Sequence, residues 1–383
     1  LQHVLACLMG GSMAALAVNV SFAFLGYATD ADLRQHGVSL HVVAVGDGAT
    51  VLYGSAYVSP QPTSFMPKRG FVARAARDGT LEWSHVLDGG CWNDFNAVVE
   101  SADGYDLYAV GVVSGGARLD GGPAGGFAAG VVGLHDAFVA RLDAATGRVR
   151  WSLRLGGAYN RACSHWGSQY DDNAGGVIVD GTSVYVSGQV GSQRSTMVTF
   201  GAAPGAANAC APRAGGSTSY VENDAFVAKY GVDGACHWVR TGGHAHGSEP
   251  YDFGGPLAAW REGAGADVSL LLSAAWVLHE FAIDGLTCDD VSPDTYETTV
   301  FALSARDGSA VWLACVGDQF RASALGVVDD VLVVAGWGQY TRRLTFVGAG
   351  ANRTVLDERD ATHGDMTSRA ALLGIDVRRG GAL

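Results

Sequence analysis

Apolar positions along this chain fall in short alternating runs, broken again and again by Asp-Gly and Gly-Gly pairs. Such a pattern predicts β-strands joined by tight turns, and no stretch carries the sustained stripe of an amphipathic helix. Four stretches align: Gly70–Trp83 (GFVARAARDGTLEW), Asp136–Trp151 (DAFVARLDAATGRVRW), Asp224–Trp238 (DAFVAKYGVDGACHW) and Thr299–Trp312 (TVFALSARDGSAVW). Each reads as an apolar strand, a polar turn, and a second strand entering on tryptophan. Gly79, Gly147, Gly234 and Gly308 stand in the turns, where a residue tolerating positive φ is required.

A second hairpin precedes each of these pairs, at 42–58, 97–111 and 176–188, with looser copies at 257–274 and 325–336. Two hairpins make four strands, A to D, and the unit recurs with Trp-to-Trp spacings of 68, 87 and 74 residues. The expected fold is therefore all-β, a β-propeller with at least five four-stranded blades at about 39–90, 91–157, 169–243, 251–318 and 321–383. Trp83, Trp151, Trp238 and Trp312 are expected to fill space between blades rather than to carry chemistry. Leu372–Leu383 repeats the strand and turn once more, and position 384 would hold its tryptophan. The last blade is then either continued in a longer protein or closed by a strand from the N-terminal segment.

Copies two and three, residues 93–243, resemble the bacterial-type propeller repeat called SBBP, on Asp-Ala-Phe-Val-Ala-Arg/Lys, the Gly-centred turn, Trp, Gly-Gly and Val-Tyr-Val-Ser-Gly. The stretch from Asp143 through Thr146 and Gly147 to Trp151 is also similar to the tryptophan-docking motif of quinoprotein propellers. That resemblance implies a structural role for the tryptophans. A quinoprotein-like dehydrogenase would further imply adjacent cysteines, and none of the seven cysteines neighbours another.

Residues 1–38 form an apolar segment with no charge before Asp30; it reads as a closing strand or as the remnant of a signal or membrane anchor. Net charge is −13, with only Lys68 and Lys229 as lysines. A surface of this sign repels phosphate backbones, so nucleic acid is not expected as a partner. Membrane association is expected only if the N-terminal segment is an anchor. Cys91, Cys163, Cys210 and Cys288 fall in expected loops on one face and are candidates for disulfides of open connectivity. Cys236 begins a D strand, and Cys315 reads as a small core residue. With the sequons at Asn19 and Asn352, these cysteines point to a secreted or cell-surface glycoprotein.

The B–C connections, about 59–69, 114–135, 191–223, 277–298 and 339–368, are long and leave one face, together with the D–A connections. Long loops on a rigid scaffold suggest a binding surface. Candidates there are Trp92, Trp166, Tyr170 and Tyr251, next to the carboxylates Asp94, Asp172 and Asp252, with Asp318 in looser register. Such a set suits a protein or glycan partner. The carboxylates either cap strands as Asx turns or ring the channel mouth, where calcium would be the ion to take. His244 and His246 have the spacing of a metal pair without supporting ligands, so no metal site is expected of them. No nucleophile or phosphate-binding motif is present. The function expected is that of a non-enzymatic interaction or structural module, with carbohydrate binding and a quinoprotein-like dehydrogenase as alternatives.

Overall fold

Four long strands in up-and-down order make the first sheet: β1 (Val38–Ala44), β2 (Thr50–Tyr57), β3 (Lys68–Ala75) and β4 (Leu81–Asp88). The second holds β5 (Asp94–Glu100), β6 (Asp106–Ser114), β8 (His135–Asp143) and β9 (Val149–Gly156), with the two-residue β7 (Arg118–Leu119) lying between β6 and β8 in the chain. In the third are β10 (Asn173–Asp180), β11 (Ser183–Val190), β14 (Asp224–Gly231) and β15 (Cys236–Gly242), with the short β13 (Arg213–Ala214) at its edge, while β12 (Thr199–Phe200), which lies between β11 and β13 in the chain, joins the second sheet. The fourth has β16 (Phe253–Arg261), β17 (Val268–Leu278), β20 (Tyr296–Ser304) and β21 (Ala310–Val316), and the hairpin of β18 (Phe281–Ile283) and β19 (Leu286–Cys288) precedes β20. The fifth joins β22 (Phe320–Val328), β23 (Val331–Gln339) and β26 (Ser368–Asp376), separated in sequence by β24 (Arg343–Gly348) and β25 (Thr354–Asp357). The computed structural model describes residues 38–57, 68–88, 92–114, 117–119, 135–156, 172–191, 199–201, 210, 213–214, 224–243, 253–263, 265–278, 281–288, 296–317, 320–339, 343–348, 354–357 and 368–380.

All the long strands pair antiparallel with their neighbours. From the second sheet onward, the first strand of each sheet packs near that of the next, β5 by β10, β10 by β16 and β16 by β22, as in propeller-like blades, while β5 lies against β2 and β3 of the first sheet. The core lies between sheets, because alternate residues of a strand point to opposite faces and both faces here are apolar. Phe138, Ala140 and Leu142 join the cluster with the first sheet, and Val139 on the same strand joins the cluster with the third.

One contact recurs at each junction. The Trp83 indole N–H donates to the carbonyl of Ala144 in the next sheet's turn at 3.0 Å, and Arg74 Nη1 donates to the same oxygen at 2.8 Å. Trp151 and Arg141 repeat this at Val232, at 2.9 and 2.7 Å. At the third junction Lys229 Nζ takes the Ala305 carbonyl at 3.2 Å, and at the fourth Trp312 alone donates to Val377 at 2.6 Å. The cation of the Ala-Arg/Lys motif thus stands across the sheet from its own tryptophan, and at the first two junctions it shares that tryptophan's acceptor.

The turns show why glycine is kept there. Gly79, Gly147, Gly234, Gly308 and Gly380 have φ of 86°, 71°, 82°, 74° and 65°. A Cβ on Gly147, Gly308 or Gly380 would also come within 2.7 Å of Trp83, Trp238 or Trp312 respectively. Backbone conformation and close approach of an indole therefore make the same demand.

The long B–C connections differ from expectation. Their described parts lie back along the outer edges of the sheets: β7 pairs with β4, β12 with β9, β13 runs parallel to β15, and β24 pairs with β21. An outer strand otherwise presents a row of unpaired N–H and C=O groups, and these straps satisfy part of it. The disulfides follow the same course. Cys210 is bonded to Cys236 and Cys288 to Cys315, with Cα separations of 5.6 and 5.9 Å. Each ties a B–C connection to the D strand of its own sheet. Cys315 is therefore a disulfide partner and not merely a small core residue, and Cys210 and Cys288 are not joined to one another. Cys91 and Cys163, like the sequons at Asn19 and Asn352 and the N-terminal segment, lie outside the described residues.

Candidate functional site

The face from which the B–C and D–A connections leave holds a polar cluster between the first two sheets. Trp92, just ahead of β5, is 38% exposed. Its backbone N–H donates to Ser114 Oγ at 2.5 Å, and that hydroxyl donates to the Trp92 carbonyl at 2.7 Å, fixing the residue at the end of β6. The Lys68 ammonium sits 4.4 Å from the centre of the indole, and the His135 ring meets it edge-on at 6.2 Å. Asp94, two residues on, accepts a hydrogen bond from Ser55 Oγ at 2.8 Å. Burial raises its carboxyl above the usual range, while Ser55 and the positive groups Lys68 and His41 act in the opposite sense. His41 itself stacks on Tyr53 with ring centres 5.2 Å apart.

Asp172 does a different job. Its Oδ1 accepts the N–H of Gly191, the residue after β11, at 2.5 Å, and its own N–H donates across to the His135 carbonyl at 3.3 Å. The counterpart one sheet earlier is Asn93, not Asp94: Asn93 Oδ1 accepts the Ser114 N–H at 2.9 Å, and Asn93 N–H donates to the Lys68 carbonyl at 3.2 Å. Asn93 and Asp172 each clasp the end of a B strand and bridge to the preceding sheet. Asp94 is one residue out of that register and so faces a different environment. Each of these two carboxylates engages protein donors, and among the described residues no group of three His, Cys, Asp or Glu side chains converges as a cation site would need. Trp166, Tyr170, Tyr251, Asp252 and Asp318 lie outside the described residues, as do His244 and His246.

A third acidic position was not singled out in the sequence. Asp136 and Asp224 begin the Asp-Ala-Phe-Val-Ala motif of successive sheets and have unlike surroundings. Arg154, across from Phe138, approaches Asp136 at 3.5 Å. The residue across from Phe226 is Thr241, and among the described residues no cation pairs with Asp224. Burial alone pushes the Asp224 carboxyl up to about 7. Of the missed residues, only Ser55 lies in a hairpin that the pattern predicts. Lys68 and His135 fall at the ends of the expected B–C connections but begin β3 and β8, and His41 stands just ahead of the first expected hairpin. Only the pairing of β2 with β3 and the packing of the first sheet on the second bring them together.

The cluster can thus present an aromatic edge, a carboxylate, an ammonium and an imidazole to a ligand. Comparison with models of known protein families and with curated proteins finds no match along the chain.

Proposed function

We propose that the chain is a β-propeller of at least five blades that serves as a non-enzymatic interaction module, secreted or on a cell surface. It holds a protein or assembly partner on the face that carries Trp92. The observation behind this is the strapping of the B–C connections. Loops anchored by edge pairing and by Cys210–Cys236 and Cys288–Cys315 lose little freedom when a partner binds, so the face is preorganised. The disulfides also fit an oxidising compartment. The half-exposed Trp92 beside Asp94 favours a second reading, a glycan ligand stacked on the indole.

The sequence offers an unusually clean test. Lys68 and Lys229 are the only lysines, and Lys229 Nζ is held by the Ala305 carbonyl. An amine-reactive cross-linker therefore reacts at these two lysines and at the α-amine, and peptide mapping separates adducts at Lys68, beside Trp92, from the rest. Cross-linking of the native protein should capture a partner through Lys68, and Trp92→Ala should abolish the capture. Turnover of substrate with an added quinone, or capture indifferent to Trp92→Ala, would defeat the reading. Glycan-array binding lost in Trp92→Ala would select the second.

A further inference from the structure

A small cavity lies between the fourth and fifth sheets, where their first strands, β16 and β22, run side by side. Its volume is about 50 Å³, and Gly254 and Gly255 of β16, Trp276 of β17, Thr298 of β20 and Arg321 of β22 line it, with alanines between them. It sits at the end of the strands from which the B–C and D–A connections leave. A bulge in β16 shapes it: the register with β17 jumps from Gly254 to Leu257. Glycine is required in that bulge, since a Cβ on Gly255 would stand 2.7 Å from the Ala274 carbonyl oxygen.

The chain carries a net charge of −13, yet among the described residues the one charged side chain lining this cavity is a cation. The Arg321 guanidinium lies 4.9 Å from the centre of the Trp276 indole, and 6.0 Å from that of Trp337, its partner across β22 and β23. Indoles hold a guanidinium by its charge and use none of its five N–H donors. Those donors form a planar fork that matches a carboxylate. The polar groups around it are committed elsewhere. The Thr298 hydroxyl donates to the Phe320 carbonyl at 2.5 Å and accepts the Ala322 N–H at 3.3 Å. The carbonyls of Gly255 and Pro256 accept from the Ser187 and Ser273 hydroxyls at 2.9 and 3.1 Å. A ligand therefore meets one cation and a wall of small apolar groups. One guanidinium balances one negative charge, whereas a phosphate dianion would bring an unbalanced charge against the field of an acidic chain. A water takes about 10–15 Å³ of such space, so the cavity admits about three or four heavy atoms, the size of a carboxylate with its α-carbon.

We propose that this cavity binds the carboxylate of a small organic acid, with Arg321 on the carboxylate and the glycine and alanine wall against the α-carbon. A free monocarboxylic acid and the C-terminus of a peptide share that chemistry. The site belongs to a different junction from the Trp92 cluster and stands or falls apart from it.

Saturation-transfer NMR on the full oxidised chain, titrated with propionate, reads the affinity. A dissociation constant of about 0.1–10 mM is expected for so few heavy atoms. Propionamide, which has the shape without the charge, should fail to compete. Arg321→Gln should weaken propionate by at least about 10-fold, and Arg321→Lys, which keeps the charge but not the fork, by less. Arg321→Lys also carries the test if Arg321→Gln does not fold. Lys68→Gln, which removes the ammonium of the Trp92 cluster, should leave binding unchanged. N-acetylalanine bound more tightly than propionate assigns the site to a peptide terminus, and the reverse order to a free acid; either supports it. No propionate binding up to about 50 mM overturns the proposal. So does binding indifferent to both Arg321 substitutions, binding lost in Lys68→Gln, or phosphate held more tightly than propionate.

Discussion

Asp224→Asn should stabilise this protein, and should do so more strongly as the pH rises. The carboxyl begins near 3.8 in an unfolded chain and is pushed up to about 7 in the folded one, with burial as the cause. Between those values the native state keeps a proton that the unfolded state has released. Stability therefore falls with rising pH across that window and levels off above it. Three pKa units correspond to about 4 kcal/mol, a ceiling that local relaxation would reduce to about 2–4. Asn keeps the shape and cannot ionise, so it removes the penalty. The assay is urea denaturation of both proteins from pH 4 to 8.5, taking the difference in unfolding free energy so that other groups cancel. That difference should be small at pH 4, grow through pH 6, and flatten near pH 7.5 in favour of Asn. A flat difference across the range would refute the account and mean that Asp224 is solvated or paired in solution. Asp136 is the internal control. It has Arg154 beside it, so Asp136→Asn should destabilise, because it leaves a buried guanidinium without its counter-charge.

Three further outcomes are expected. Arg141→Met removes a donor from the Val232 carbonyl and the 2.5 Å ion pair with buried Asp106, and should cost about 2–4 kcal/mol in urea unfolding; a loss within error would show that the Trp151 bond suffices. Gly308→Ala and Gly181→Ala both place a side chain at positive φ, but only the first meets an indole, at 2.7 Å, while the second has nothing within 4 Å; Gly181→Ala should cost about 1 kcal/mol and Gly308→Ala clearly more, as thermal unfolding of the two would show. Peptide mapping without reduction should recover Cys210 linked to Cys236 and Cys288 linked to Cys315, and reducing the first bridge, which spans 26 residues, should cost about 3 kcal/mol.

The hairpins and turns were legible because each rests on local chemistry. Asp-Gly pairs set positive φ, alternation sets the strands, and a tryptophan at fixed offset marks the junction. Less legible was anything that depends on which strand meets which across a junction. Arg74, Arg141 and Lys229 sit inside the recognised motif, yet their acceptors lie 70, 91 and 76 residues away, and no local pattern names them. The loops misled for a similar reason. A long glycine-rich connection looks free to project, but the unpaired edge of a neighbouring strand draws it in, and that edge exists only after the sheets have formed. Asp94 and Asp172 seemed equivalent by position, and a one-residue offset in register separated them. Cys315 looked like core because it is core; its partner Cys288 is buried beside it, on a loop that sequence would place far off.

The indole-to-turn contact gives the second, third and fourth modules both a stud and a socket. In each, the tryptophan engages the module that follows, and the turn receives the module before. A duplicated copy inserted anywhere in the series arrives with both fittings already matched to its neighbours, so the number of modules can change without redesign of any junction. The third junction, where the socket oxygen goes to the Lys229 ammonium, shows that the fitting tolerates a substitute donor. Such tolerance lets copies drift apart in sequence while the series continues to lock together.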